Sequence, residues 1–499
     1  MHDAGESDGC VVPTKGPNND GNRPSAEGLE GRRPTKENTG QRDRVPDTEP
    51  DMGELSQLLG VRRVAQQAKR SRFTALLHHV TINRLRTSFF ALKHEATPGV
   101  DGVTWKAYAT DLDTRLEDLH GRVHRGAYRA QPSKRAYIPK ADGRLRPLGI
   151  AALEDKIVQR AVVEVLNHVY EADFVGFSYG FRPERSQHQA LDALWVGLMR
   201  KRVNWVLDAD IRGFFDTINH EWMMQFVEHR IADPRVLRLI RKWLRAGVSE
   251  DGEWSRTEVG TPQGAVISPL LANIYLHYVF DLWVQQWRTQ TAVGDMIVVR
   301  YADDIVMGFE RREDAECCLA AWRTRLAQFG LELHPEKTRL LEFGRHAATR
   351  RKHRGERKPE TFDFLGFTHI SGKTRTGRFT VVRKTIRKRL RAKLQKVKVE
   401  LRRRWHESVP EMGRWLRRVV QGYFNYHAVP CNGSSIERFR KEVGKLWLRA
   451  LRRRSQRGRR LTWTRLAPIV DFWLPRPRIL HPWPDVRFDA TIRGKSRVR

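Results

Sequence analysis

Cysteine is scarce in this sequence. Four residues, Cys10, Cys317, Cys318 and Cys431, stand among 499, and no two are spaced as Cys-x-x-Cys. Zinc ribbons and disulfide frameworks need closely paired thiols, so this count argues against both. Long apolar runs are missing too: none approaches the roughly 18–20 residues of a membrane-spanning helix. The opening MHDAGESDGC lacks the basic-then-apolar layout of a secretory signal, so a cytoplasmic, membrane-free location is expected. A third shortage is local. Residues 381–499 hold only 8 Asp and Glu against 34 Lys and Arg.

Over the whole chain the formal charge is +34. Such a field attracts polyanions, which makes nucleic acid the expected partner and an anionic membrane surface the alternative. The surplus is uneven, because residues 1–54 carry 7 basic and 12 acidic side chains. That leader is rich in Gly, Pro, Asn, Asp and Glu without apolar periodicity, and reads as disordered.

From about residue 55 the apolar spacing becomes helical. ATPGVDGVTW (96–105) supplies Pro98, Gly99 and Gly102 for a tight loop. EDKIVQRAVVEVLNHVY (154–170) sets Val158, Ala161, Val162, Val165 and Val169 at helical steps. NWVLDADI (204–211) alternates as a strand, with Trp205, Leu207, Ala209 and Ile211 on one face and Asp208 and Asp210 on the other. Helices and strands mix up to about residue 370, and after 384 the pattern is nearly all helix. The fold class expected is α+β.

VVRYADDIVMGF (298–309) puts Asp303 and Asp304 between two short apolar runs, which predicts a β-hairpin with both acids at its tip. If that tip lies beside the strand ending at Asp210, three carboxylates converge. Two such charges ~4 Å apart repel by about 4 kcal/mol at an effective dielectric near 20. Divalent metal offsets this, and a pair of Mg²⁺ ions on shared Asp oxygens suits in-line phosphoryl transfer on a polyanionic substrate. On local grounds Asp208 and Asp216 compete for the same role.

Tyr301-Ala302-Asp303-Asp304 resembles the YxDD signature of reverse transcriptases, and DADIRGFFD (208–216) resembles their first catalytic motif. Further blocks follow the family's order: RAYIPKADGRLRPLGI (135–150), FSYGFRPERSQHQAL (177–191), GTPQGAVISPLLANIYL (260–276), GLELHPEKT (330–338) and FDFLGF (362–367). ATPGVDGVT (96–104) is similar to the extra N-terminal block of group II intron-encoded reverse transcriptases. QGYFNYHAVPCNGSSIERFR (421–440) with LWLRALRRRSQRGRRLTWTRL (446–466) resembles their maturase region, domain X.

The resemblance implies a right-hand polymerase followed by an all-helical thumb and maturase domain. It divides the chain into a leader (1–54), an N-terminal extension and start of the fingers (55–134), fingers and palm (135–370), thumb and domain X (371–485) and a basic tail (486–499). It implies RNA-directed DNA synthesis with two Mg²⁺ ions, Mn²⁺ being a possible substitute, on Asp210, Asp303 and Asp304, with the Ile211 backbone as a further ligand. Asp210 is preferred to its competitors because the family's catalytic Asp is followed five residues on by an aromatic, here Phe215, whose bulk would exclude a 2′-hydroxyl. Lys140 and Arg146 would reach the triphosphate of the incoming dNTP, Gln263 and Gly264 would pack under nucleotide and template base, and Lys337 would protonate the departing pyrophosphate. Phe364, Leu365 and Gly366 would form the primer grip.

Ile386, Leu390, Leu394, Val397, Leu401 and Trp405 form one apolar stripe, with Arg and Lys at most other positions. With so few acidic counterparts, these cations are expected on phosphate, in a template–primer duplex of near A-form. Arg452, Arg453, Arg454 and Arg457, with the rings Tyr423 and Tyr426, are expected to bind intron RNA. No counterpart of the His-Asn-His nuclease that many members carry is expected, since LPRPRILHPWPDVRFDATIRGKSRVR (474–499) has one histidine, His481, and no cysteine. No endonuclease activity is expected. The function so implied is that of a bacterial, nucleoid-associated intron-encoded protein that copies RNA, assists splicing and supports retrohoming into target DNA by target-primed cDNA synthesis. A splicing-only maturase and a domesticated enzyme of phage defence or repair are the alternatives.

Overall fold

The computed structural model describes residues 52–139, 145–250, 253–255, 259–261, 264–356 and 358–492. Among them eleven strands, in chain order β1 Ser133–Pro139, β2 Leu145–Ile150, β3 Trp205–Asp210, β4 Val248–Glu250, β5 Glu253–Ser255, β6 Met296–Tyr301, β7 Asp304–Phe309, β8 Arg339–Glu342, β9 Thr361–Phe364, β10 Phe367–Lys373 and β11 Phe379–Thr385, make three sheets. The central one has the order β6-β7-β3-β8, antiparallel throughout.

Both faces of the central sheet are covered, which is why β6 and β7 read as unbroken apolar runs instead of alternating. Leu207, Ala209, Val298, Ile305 and Met307 enter one core, shared with the helices Leu153–Tyr170 and Ser268–Leu276. Val206, Ile297, Val299, Val306 and Leu341 enter a second, shared with helix Gln187–Arg200 and the sheet β11-β10-β9. The two-residue period puts Asp208, Asp210 and Asp304 on this second face, at the end of the sheet where β3 stops and β7 begins.

A third sheet, β2-β1-β4-β5, carries the β1–β2 hairpin. Beyond β11 the helices Arg387–Arg403, Val409–His427, Gly433–Arg452 and Trp463–Trp473 bury one apolar stripe each in a separate core. No helix among the described residues is long and apolar enough to cross a membrane.

Several sequence expectations meet a different geometry. The helical part starts at Arg387, in line with the pattern after residue 384, but the three-stranded sheet runs on to Thr385, so the first residues of the segment from 371 expected as an all-helical thumb are strand. Trp405 leaves the apolar stripe, because its helix ends at Arg403 and the ring is 58% exposed. The first half of the segment expected as a basic tail, residues 486–492, lies inside helix Pro484–Ile492, which packs on helix Gln187–Arg200. There Arg487 pairs with the buried Asp192, and Asp489 takes both ends of the Arg200 guanidinium at 2.8 and 2.7 Å. The leader up to residue 51 and the tail from 493 lie outside the described residues.

Candidate active site

The turn between β6 and β7 consists of Ala302 and Asp303, with Tyr301 and Asp304 paired across it. Ala302 takes the left-handed conformation, φ 57°, which costs an ordinary residue free energy unless its surroundings enforce it. They do. The Tyr179 N–H donates to the Arg300 carbonyl and the Arg300 N–H to the Phe177 carbonyl, both at 2.9 Å, so segment 177–179 lies as a short parallel stub against β6. Gly180 then touches the turn itself: a Cβ there would lie 2.3 Å from the Ala302 nitrogen.

Beneath the turn lies Arg300, fully buried. Its guanidinium donates to both oxygens of Asp281 at 2.7 and 2.5 Å, to Asn273 Oδ1 at 3.0 Å and to the Ala302 carbonyl at 3.1 Å. Asn273 Nδ2 donates in turn to the Gly180 carbonyl at 2.7 Å. Asp281 closes a π-helical turn, His277–Asp281, a distortion that recurs at functional sites. Arg300, Asp281, Asn273 and Gly180 were not singled out from the sequence. The available signal was an arginine inside an apolar strand, since a buried charge requires a partner.

The carboxylates sit on this frame. Register sets Asp210 directly opposite Asp304, with Asp208 two residues earlier on the same face. Burial pushes the Asp304 carboxyl up to about 7, helped by Asp208, Asp303 and Asp210 and opposed by Arg389. Burial also lifts Asp208 to about 6, against Arg339 at 3.4 Å, with Asp363 and Asp210 adding to the rise. Asp210 forms an ion pair with Lys337. Among the described residues no three His, Cys, Asp or Glu side chains are grouped to hold a metal ion as they stand. Asp210 turns toward Lys337 and Asp208 toward Arg339, as expected for crowded like charges with cations within reach.

Phe215 is half-buried in helix Phe214–Thr217, edge-on to Phe214. Its carbonyl accepts from Thr261 N–H at 2.7 Å, and a Cβ on Gly260 would lie 2.9 Å from that same oxygen. Ile211 is buried and bridges to Leu333. Gly264, φ 116°, approaches β2 so closely that a Cβ would lie 2.7 Å from the Gly149 carbonyl. Lys140 and Gln263 lie outside the described residues. Arg146 pairs with Ile138 in the β1–β2 hairpin, and its side chain is likewise outside the description.

The turn from β9 to β10 has Leu365 at φ 45° and Gly366 at φ 88°, with Phe364 buried beneath. The Tyr426 hydroxyl donates to the Leu365 carbonyl at 2.6 Å, which ties this turn to the helical part. Tyr426 thus braces the turn, its ring stacked on Phe367. The expectation that Tyr423 offers a ring to RNA does not hold: it is 6% exposed and stacked on Phe439 with centroids 3.7 Å apart. The arginine run divides as well. Arg452 donates to the Leu461 carbonyl at 2.7 Å, Arg454 lies against Met412, and Arg453 is exposed. The Arg457 side chain is outside the description.

A family model described as reverse transcriptase (RNA-dependent DNA polymerase) matches residues 138–369. Protein YkfC of Escherichia coli K12 is 35% identical over 322 residues, covering 57% of this chain and 79% of that protein. Group II intron-encoded protein LtrA of Lactococcus lactis subsp. cremoris is 43% identical over 191 residues, 38% of this chain and 31% of LtrA. An uncharacterized 91 kDa protein in the cob intron of Schizosaccharomyces pombe is 42% identical over 212 residues, 42% of this chain and 25% of that protein. The chain thus spans most of YkfC but less than a third of LtrA. It belongs to the reverse transcriptase family.

Proposed function

We propose that this protein extends a DNA primer along an RNA template and also acts as a maturase that binds intron RNA, assists its splicing and supports insertion by target-primed cDNA synthesis. The central sheet is the palm, β1 and β2 belong to the fingers, and the helices from Arg387 onward form thumb and domain X. The observation that carries this reading is the register of Asp210 against Asp304 beside the Ala302–Asp303 turn. It delivers acids from two distant segments to one end of one sheet face.

The donor set fits divalent metal, being hard carboxylate oxygens of which two, Asp208 and Asp304, are lifted toward their protonated forms by burial, with neighbouring acids adding to the rise. Asp210, Asp303 and Asp304, with the Ile211 backbone, would hold two Mg²⁺ ions, or Mn²⁺ in their place. Bound there, the ions supply charge stabilisation to the attacking and leaving oxygens of the displacement.

The remaining work falls to the chain's own groups. Phe215 lies against the sugar of the incoming dNTP and excludes a 2′-hydroxyl. Lys140 and Arg146 hold the triphosphate, Arg as a fork and Lys as a point charge. Gln263 and Gly264 underlie the nucleotide and template base, and the Phe364-Leu365-Gly366 turn holds the primer end. Lys337 gives a proton from Nζ to the leaving pyrophosphate. The cationic faces of the helices from Arg387 hold the template–primer duplex through its phosphates. The protein works in the bacterial cytoplasm, near target DNA.

The test uses the full chain with a primed RNA, dNTPs and Mg²⁺. Labelled cDNA is expected from the parent, and none from Asp304→Asn or Asp210→Asn at unchanged RNA affinity. A parent that makes no cDNA, or an Asp304→Asn variant that makes as much, overturns the polymerase reading.

A further inference from the structure

Where the helix Arg387–Arg403 ends, it leaves a groove of about 200 Å³ against the last two turns of helix Gly433–Arg452. The floor is apolar, made by Leu401, Leu446 and Ala450, with the exposed indole of Trp405 as one wall. The rim is cationic. Lys398 and Arg402 stand one turn apart on the first helix, Arg449 and Arg453 one turn apart on the second. Among the described residues none of these four makes an ion pair. The neighbouring Arg403 and Arg404, by contrast, are held by Glu400 and Glu407, and Arg404 also covers Trp415.

Two rows of unneutralised cations flanking an apolar slot suit a ligand that alternates anionic groups with a flat apolar unit. A nucleic-acid strand has that pattern, phosphate–base–phosphate, and bases stack on aromatic side chains whatever their sequence. A paired A-form helix keeps its base faces stacked on one another, leaving phosphates, 2′-hydroxyls and base edges but no free ring face for the slot. An acidic peptide would satisfy the rim and leave the slot empty. We propose that this groove binds an unpaired RNA nucleotide, with its base on Trp405 over Leu401 and Leu446 and its flanking phosphates on Arg402, Arg449 and Arg453. The proposal rests on the RNA-binding reading above and names a site for it. Of the arginine run expected to bind RNA, it assigns this task to Arg453, whose neighbours Arg452 and Arg454 are engaged within the protein.

The experiment measures binding of the full chain to three synthetic hairpins by fluorescence anisotropy. One is an RNA hairpin with a single bulged nucleotide, one its fully paired counterpart, and one a DNA hairpin with the same bulge. Trp405→Ala is expected to weaken the bulged RNA roughly tenfold and the paired RNA less than twofold, and Trp405→Phe to restore most of the loss. Removing two phosphate contacts with the double substitution R449A/R453A should flatten the log–log salt dependence by about 1.4 units. Thermal melting of each variant separates misfolding from lost contact, and a variant that melts early is replaced by Trp405→Leu, which fills the space without a stacking ring, and by Arg449→Gln in the same assays.

Equal affinity of Trp405→Ala and parent for bulged RNA overturns the groove while leaving RNA binding standing. Equal affinity of the parent for bulged DNA and bulged RNA overturns the commitment to RNA. Displacement of bulged RNA by an oligo-aspartate peptide of equal charge would assign the groove to an acidic protein segment instead. A parent that binds none of the hairpins would bring down the RNA reading itself.

Discussion

Arg300 places its guanidinium across both carboxylate oxygens of Asp281, each group wholly shut off from solvent, and with the same fork reaches the carbonyl of Ala302 in the turn that carries Asp303. The contact joins a buried ion pair to the backbone of the candidate active site. A buried pair contributes little net stability, yet removing one member leaves a stranded charge and costs about 3–5 kcal/mol.

Arg300→Met should therefore lower stability by about that amount, read from urea unfolding. The double variant Arg300→Met with Asp281→Leu should recover most of it, while primer extension stays at least tenfold down. Arg300→Lys, which retains the charge without the fork, should separate the two effects by keeping most of the stability but not the rate. Full activity in the double variant would make the pair merely structural.

Gly180 makes a related prediction on steric grounds. The atoms that a Cβ would meet, Ala302 N at 2.3 Å and the Tyr301 carbonyl carbon at 2.9 Å, belong to backbone and cannot swing aside. Gly180→Ala should displace the turn, cost roughly 1–3 kcal/mol of stability and cut primer extension at least tenfold. RNA affinity measured on the same sample should stay within twofold.

Lys337 holds Asp210 in an ion pair, and the same carboxylate is needed as a metal ligand in the proposed reaction. Lys337→Met should do two opposite things. It should lower the maximal rate, through loss of the proton donor, and lower the Mg²⁺ concentration giving half that rate, because a competing cation is gone. Primer extension across a Mg²⁺ titration checks both, and a higher Mg²⁺ requirement would refute the competition.

His369 gives a pH prediction away from the acids. It is fully buried and stacked on Phe362, with centroids 4.8 Å apart. Burial holds its imidazole down at about 3, with Arg383 adding to the effect and the Phe367 backbone opposing it. A histidine depressed in the folded state leaves stability intact above its unfolded value near 6.5 and removes it as pH falls toward about 3. At pH 5 the loss should be about 2 kcal/mol. His369→Phe keeps an aromatic against Phe362 and should abolish this part of the acid sensitivity, seen as a flatter plot of unfolding free energy against pH from 6.5 to 4.

What the sequence by itself determined is whatever short-range pattern can carry. The two-residue period of NWVLDADI sets Asp208 and Asp210 on one face of a strand, and the apolar runs around Asp303 specify a hairpin. The helix Leu153–Tyr170 follows from its own spacing, and the charge surplus toward the end of the chain needs no fold to be counted. Tertiary structure alone decided who meets whom. Asp210 faces Asp304 because β3 inserts between β7 and β8, segments far apart in the chain. Arg300 finds Asp281 across a π-helical turn that no periodicity announces. Tyr423 is buried by Phe439, whereas Trp405, expected in the apolar stripe of its own helix, is left outside because that helix stops two residues short. A side chain's own neighbourhood in sequence fixes its direction relative to its element, but its partners depend on how elements stack, and the roles of the acids, the arginines and the rings here belong to that second level.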